Sequence, residues 1–258
     1  LPSFLKVLVT LALVLSIGCA SGAKGPDAGK TETFSEGSFY HESSYHDQNK
    51  PPVSLSPSVQ MQVSEAQRMD PFYLRTQADY QYSLGEAHSL DGNPTKAIES
   101  FNHVLVYDPN SEMVRIRLAK EYLKLGQVNQ SIDQIKLVLD KNEKNKDARV
   151  LLAGLYTTIR AYPKAIENYE YVLKNFPDQT DVPIYLAAVY SEMKEYDKSI
   201  KLFERTLAGN QFPNKHLIYY YMGRIREEQA EEKDTKFLKL AETAFKTSVE
   251  LKPDFVDA

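Results

Sequence analysis

The 258-residue chain has no tryptophan, one cysteine, 11 glycines and five histidines. A single cysteine excludes an intramolecular disulfide and any cysteine-rich zinc site. Scarce glycine beside long stretches of Ala, Leu, Lys, Glu and Tyr argues against a turn-rich β sandwich and for helices. The net charge is only −4, so the broad basic footprint of a nucleic-acid binder is missing and no nucleic-acid partner is expected. Catalytic patterns are missing as well: the chain contains no GxSxG, HExxH, P-loop or GxGxxG. Each of those would fix a nucleophile, a metal or a phosphate at a set spacing. His103 and His216 stand isolated, and charged doublets such as Glu227-Glu228 read as solvated helix faces. No enzyme activity, cofactor or metal is expected. What is abundant is apolar residues at 42%, charged residues at 26% and 17 tyrosines, a composition and length suited to one or two folded domains.

One apolar run stands out near the start, Val7 to Leu15 (VLVTLALVL), with Lys6 before it. It is shorter than the roughly 20 residues needed to span a bilayer and has the size of a signal-peptide h-region. The run ends in Leu15-Ser16-Ile17-Gly18-Cys19-Ala20. This segment resembles the lipobox of bacterial lipoproteins, in which a small residue precedes a cysteine that becomes lipidated; Ser16 stands where the family usually has Leu. A buried core cysteine is the alternative reading of Cys19. The resemblance implies a signal peptide at 1–18 and acyl chains on Cys19, each buried CH₂ adding about 0.8 kcal/mol of membrane affinity. Because Ala20 and Ser21 follow rather than Asp, it also implies a lipid anchor in the bacterial outer membrane, facing the periplasm.

From Cys19 to about Pro57 the chain is rich in Gly, Ser, Lys, Glu, Asp and Pro without an apolar period, which predicts a disordered linker. Such a tether has an r.m.s. span of roughly 35 Å. Within it, Ser38 to Asp47 reads SFYHESSYHD; a short docking motif and a weak metal site are conceivable, and solvated linker is the preferred reading. A helical lead-in occupies 58–77, and Asp70-Pro71 is a helix start, with Asp as N-cap and Pro at the first helical position.

Beyond it the sequence repeats with a step of 34. Leu84-Gly85, Leu118-Ala119, Leu152-Ala153 and Leu186-Ala187 are in register, as are Tyr122, Tyr156 and Tyr190, then Ala97, Ser131, Ala165 and Ser199, and then Phe101, Ile135, Tyr169 and Phe203. Pro109 and Pro177 lie two periods apart with Glu143 between them. His88 takes a repeat Tyr position and is expected to pack between helices. This resembles the tetratricopeptide repeat family, with frames starting at Ala78, Glu112, Lys146, Thr180 and near His216. In the fifth, Met222-Gly223, Ala241, Phe245 and Pro253 match, and Glu231 to Lys236 reads as an insertion between the paired helices. The resemblance covers 78–258 and implies an all-α solenoid of about five helical hairpins. Small residues let paired helices approach, aromatic residues fill the gap to the next hairpin, and no hairpin buries its apolar face alone. Gly92 and Gly126 fall between paired helices, where a left-handed residue is expected. The sequence stops where a sixth hairpin would begin; a chain cut short is the preferred reading over a last face that meets a partner.

In that family the first helix of each hairpin lines a concave surface. Carried over by position, the fifth residues are Tyr82, Ile116, Val150, Ile184 and Tyr220, a continuous apolar stripe that either packs the superhelix or forms a groove. The ninth are Glu86, Lys120, Gly154, Ala188 and Arg224, and Asp147 and Asp181 are among the second. As a groove, these residues would take an extended or helical segment of a protein partner, apolar at its centre. The Lys and Asn of the family's carboxylate clamp are replaced by Tyr82 and Glu86. The resulting expectation is a non-enzymatic, lipid-anchored adaptor or scaffold of the bacterial envelope. It would resemble pilotins of type IV pilus secretins, accessory lipoproteins of outer-membrane β-barrel assembly, or adaptors of peptidoglycan hydrolases. A small-ligand-binding or enzymatic protein is the distant alternative.

Overall fold

The computed structural model describes residues 70–209, 212–230 and 235–255. The expected signal peptide and linker at 1–57, with Cys19 and the motif at Ser38 to Asp47, and residues 58–69 of the expected lead-in lie outside them. The described residues form ten α-helices: α1 (Pro71–Leu90), α2 (Pro94–Tyr107), α3 (Glu112–Lys124), α4 (Val128–Lys141), α5 (Lys146–Thr158), α6 (Tyr162–Asn175), α7 (Val182–Glu192), α8 (Tyr196–Ala208), α9 (Lys215–Gln229) and α10 (Thr235–Leu251). Local chemistry starts several of them. Asp70 accepts from the Phe72 N–H ahead of Pro71, Asn93 from the Lys96 N–H ahead of Pro94, and Asn145 from the Ala148 N–H. A side-chain oxygen at the N-cap satisfies an amide that the helix itself leaves without an acceptor.

The helices pair as five hairpins, α1/α2 to α9/α10, and the second helix of each packs on the first helix of the next. In addition, α7 touches α5 and α9, so first helices lie side by side on one face. Paired helices approach at the repeat position that is always small. A Cβ added at Gly85 would lie 2.6 Å from the Phe101 ring, and one at Gly223 would lie 2.6 Å from the Phe245 ring. Ala119, Ala153 and Ala187 hold the same position in the middle hairpins and are fully buried. Where Ser replaces Ala on the facing helix, its hydroxyl finds a backbone acceptor: Ser131 donates to the Ala119 carbonyl (2.7 Å) and Ser199 to the Ala187 carbonyl (2.8 Å). Each buried hydroxyl is therefore satisfied, which avoids a desolvation cost of about 1–3 kcal/mol.

The first four hairpin turns share one hydrogen bond, from the amides of Asn93, Gln127, Ala161 and Glu195 to the carbonyls of His88, Tyr122, Tyr156 and Tyr190. The residue before each amide is left-handed. It is Gly92 (φ 70°) and Gly126 (φ 71°), as the sequence indicates, but Arg160 (φ 57°) and Lys194 (φ 59°) in hairpins 3 and 4. The fifth hairpin needs one correction: Thr235 and Lys236 are the first residues of α10 and not part of an inter-helix insertion, because the extra residues lengthen the helix. Residues 231–234 lie outside the described ones. The core runs through the array in three clusters, around Phe101 and Leu118, around Ile135 and Leu152, and around Leu186, Phe203 and Ile218.

Candidate functional site

The face formed by the first helices carries the residues singled out by position. Tyr82, Ile116 and Val150 are half-buried, each packed on one of the core clusters with one side still open. The Tyr82 ring lies 5.9 Å from Phe101, and its hydroxyl points at the Met113 Sδ at 3.9 Å. Met113 itself is exposed. Tyr220 belongs to an aromatic group with Tyr221, Phe245 and Phe255, its ring meeting Phe255 edge-on at 5.3 Å. The stripe is not continuous. Ile184 and Ala188 are only 6% and 3% exposed and belong to the core shared by hairpins 3 to 5. Tyr185 follows Ile184, with Tyr169 6.1 Å away and Asp181 and Tyr221 nearby, and burial chiefly pushes the Tyr185 phenol up to about 12. In hairpin 4 the surface is thus aromatic where an aliphatic step was expected.

Charge on this face is concentrated between hairpins 1 and 3. Glu86 pairs with the Arg117 Nε at 3.1 Å across the first two hairpins. Lys120 is half-buried; burial and then the neighbouring Arg117 hold its ammonium below the usual lysine range, against the opposing pull of Asp147, Glu86 and Glu121. Asp147 and Asp181 are exposed, and Arg224 pairs with Glu227 one turn on, at 3.6 Å. Gly154 leaves open space: an added Cβ would meet only the Tyr169 hydroxyl, at 3.8 Å. Tyr82, Ile116, Lys120, Val150 and Gly154 therefore make a shallow apolar surface with one amine beside it, and Ile184 and Ala188 do not contribute to it.

Two polar features escaped the sequence reading. Glu121 is 3% exposed, and its Oε1 accepts from the Ser89 hydroxyl of hairpin 1 (2.7 Å) and from Lys124 (2.8 Å). Arg115 and Arg149, one period apart, act as clamps. Arg115 donates to the Gln134 Oε1 (3.0 Å) and the Pro109 carbonyl (2.8 Å). Arg149 donates to the Asn168 Oδ1 and the Glu143 carbonyl, both at 3.1 Å, and lies 4.1 Å over the Tyr171 ring. Each ties the start of a first helix to the preceding turn and to its own second helix. The 34-residue spacing of the two arginines was the available signal.

Among the described residues, no group of three or more His, Cys, Asp or Glu could hold a metal, and no helix is long and apolar enough to cross a membrane. The described residues form an all-α solenoid of tetratricopeptide-type hairpins. Models described as tetratricopeptide repeat match residues 78–111 and 116–180. A crystal structure of MamA is similar at 23% identity and a TM-score of 0.56, covering 67% of this chain and 91% of that one. MamA from Desulfovibrio magneticus RS-1 (residues 41 to the end) is similar at 15% identity and a TM-score of 0.58, with 70% and 97% covered. YrrB, described as a TPR protein with an unusual peptide-binding site, is similar at 13% identity and a TM-score of 0.50, with 69% and 87% covered. No curated protein matches. At these identities the likeness is one of fold.

Proposed function

We propose that this chain is a non-catalytic adaptor of the bacterial envelope. A lipid on Cys19 anchors it to the outer membrane on the periplasmic side, the 19–57 tether holds the array off the bilayer, and the first-helix face takes an extended or helical segment of a protein partner. The finer assignment is a pilotin-like assembly factor for a type IV pilus secretin. One observation carries the binding role: Tyr82, Ile116 and Val150 stand at the same step of three consecutive first helices, half-buried, with Lys120 and the open surface over Gly154 beside them. A partner segment with apolar anchors would complete the burial those side chains lack, and the depressed Lys120 amine would give it a hydrogen-bond donor. YrrB supports the reading only in that a fold of this kind can present a peptide-binding site.

The test is crosslinking capture from envelopes, with mass identification of the partner. Val150→Glu should abolish capture while far-UV CD and melting stay near wild type, because one side of Val150 is open. A folded Val150→Glu variant that still captures the same partner would place binding elsewhere. Cys19→Ser should move the protein from the membrane fraction to the soluble periplasm; unchanged fractionation would reject the anchor. Identification of a β-barrel assembly component or a peptidoglycan hydrolase would replace the pilotin assignment and leave the adaptor role standing.

A further inference from the structure

Hairpin 4 lacks the arginine that closes the second-helix side of hairpins 2 and 3. At the position of Arg115 and Arg149 it has Pro183, and at the position of their acceptors Gln134 and Asn168 it has Leu202. Tyr171, which stacks on Arg149, is replaced by Arg205. Three coordinated changes at one place leave the slot open. Between α6 and α8 lies a cleft of about 570 Å³, with an apolar lining from Leu173, Pro183, Leu202 and Phe212 and with Lys174 and Arg205 among its polar residues. Pro183, Leu202 and Phe212 are buried, whereas Lys174 and Arg205 are exposed. Among the described residues neither cation has an ion-pair partner. The acidic residue of the lining, Glu170, already accepts from the Tyr190 hydroxyl at 3.3 Å.

We propose that this cleft is a second docking site, which takes an apolar side chain of a partner polypeptide carrying an aspartate or glutamate within a few residues. Its volume falls within the range of ligand sites, roughly 300–1,000 Å³. An apolar lining whose charged residues, Lys174, Arg205 and Glu170, leave an excess of positive charge selects an apolar anchor with a carboxylate nearby. An incoming arginine, which would mimic the internal clamp, is disfavoured: Leu202 offers no carboxamide oxygen, and Lys174 and Arg205 repel it. The cleft is lined from α6, the start of α7, α8 and the turns beside them, and it includes none of the groove residues named above.

A dodecapeptide display library selected on the immobilised full chain, with fluorescein-labelled winners then titrated, tests the inference. Enriched peptides should pair Leu, Ile or Phe with Asp or Glu. The double variant Pro183→Arg/Leu202→Asn, which rebuilds the clamp of hairpin 3 in hairpin 4, should weaken them at least tenfold, and Val150→Glu should leave them unchanged. Lys174→Glu/Arg205→Glu, a surface change that does not depend on repacking, should turn the selection towards Lys- and Arg-bearing peptides. No enrichment, enrichment of basic peptides on the wild-type chain, or indifference to the charge reversal would overturn the proposal. Peptides lost with Val150→Glu alone would place binding on the first-helix face, overturning this inference and supporting the adaptor reading above.

Discussion

Hairpins 2 and 3 and hairpin 4 share a repeat length and a helical frame, yet they fill their second-helix side differently. The first two insert an arginine that hydrogen-bonds a turn carbonyl and a carboxamide. The fourth sets a proline over a leucine and leaves a cleft. The residues defining a repeat, the small and aromatic ones between paired helices, set how a hairpin closes. They do not set what lies in the groove between hairpins. That groove is free to vary, either as a polar staple or as a binding surface.

The largest effect is expected at the closure shared by every hairpin. Ala153→Trp puts an indole where the α5/α6 pair has no exposed surface, and overpacking should cost about 3 kcal/mol or more. Gly154→Ala, one residue on, meets only a hydroxyl at 3.8 Å and should stabilise the helix by up to about 1 kcal/mol. Urea denaturation of the two variants measures the contrast, and equal effects would mean that the register of α5 is misplaced.

Removing a staple comes next. Arg149→Ala leaves the buried Asn168 oxygen and the Glu143 carbonyl without their donor. Hydrogen bonds to a charged group contribute roughly 1.5–3 kcal/mol, and the exposed Glu143 carboxylate adds little, so a loss of about 2 kcal/mol is expected. Pro183→Ala in hairpin 4 should cost under about 1 kcal/mol, since no such bonds exist there to lose. Comparable losses by chemical denaturation would remove the distinction between the hairpins.

The turns give a smaller effect of opposite sign. Arg160 and Lys194 hold the left-handed conformation that Gly92 and Gly126 hold in hairpins 1 and 2. Side chains pay for that geometry with a Cβ clash. Arg160→Gly and Lys194→Gly should each raise stability by about 0.5–1 kcal/mol, and Gly126→Ala should lower it by a similar amount. Thermal melts of the three variants check the sign.

The smallest effect is one of pH and belongs to hairpins 3 to 5. Burial raises the phenols of Tyr169 and Tyr185, the latter to about 12. An unfolded tyrosine ionises near pH 10, so between about pH 10 and 12 the folded state holds protons that the unfolded state releases. Stability should be fully present below about pH 10 and fall as pH rises towards 12. Denaturation of Tyr169→Phe at pH 9 and pH 11 should show a shallower loss than the wild type.

Much of this was legible in the chain. Leu84-Gly85, Leu118-Ala119, Leu152-Ala153 and Leu186-Ala187 marked the close helix approaches because a small residue there lets the paired helix in, as the Phe101 ring over Gly85 shows. Asp70-Pro71 marked the start of α1 because its cap is local. The binding stripe was legible only in part. Position alone put Ile184 with Ile116 and Val150, but the neighbouring hairpins bury it, and nothing within one repeat reports how far its neighbours reach. The clamp of Arg149 with Glu143 and Asn168 lies within one repeat, its acceptors 6 and 19 residues away, and only the 34-residue spacing of Arg115 and Arg149 signalled it.

The sequence by itself determined the hairpin, its repeat length, its caps and the glycine turns, since each depends on contacts within about one repeat. Only the tertiary structure decided which equivalent residues stay open. Val150 and Ile184 obey the same local rule and differ in how much of each the adjacent helices cover. Likewise, Pro183 and Leu202 read as ordinary helix residues until α7 and α8 pack together next to α6 and the missing arginine becomes a cleft. Burial is a property of the stack, set by the summed contacts of neighbouring hairpins, and a single helix cannot encode it.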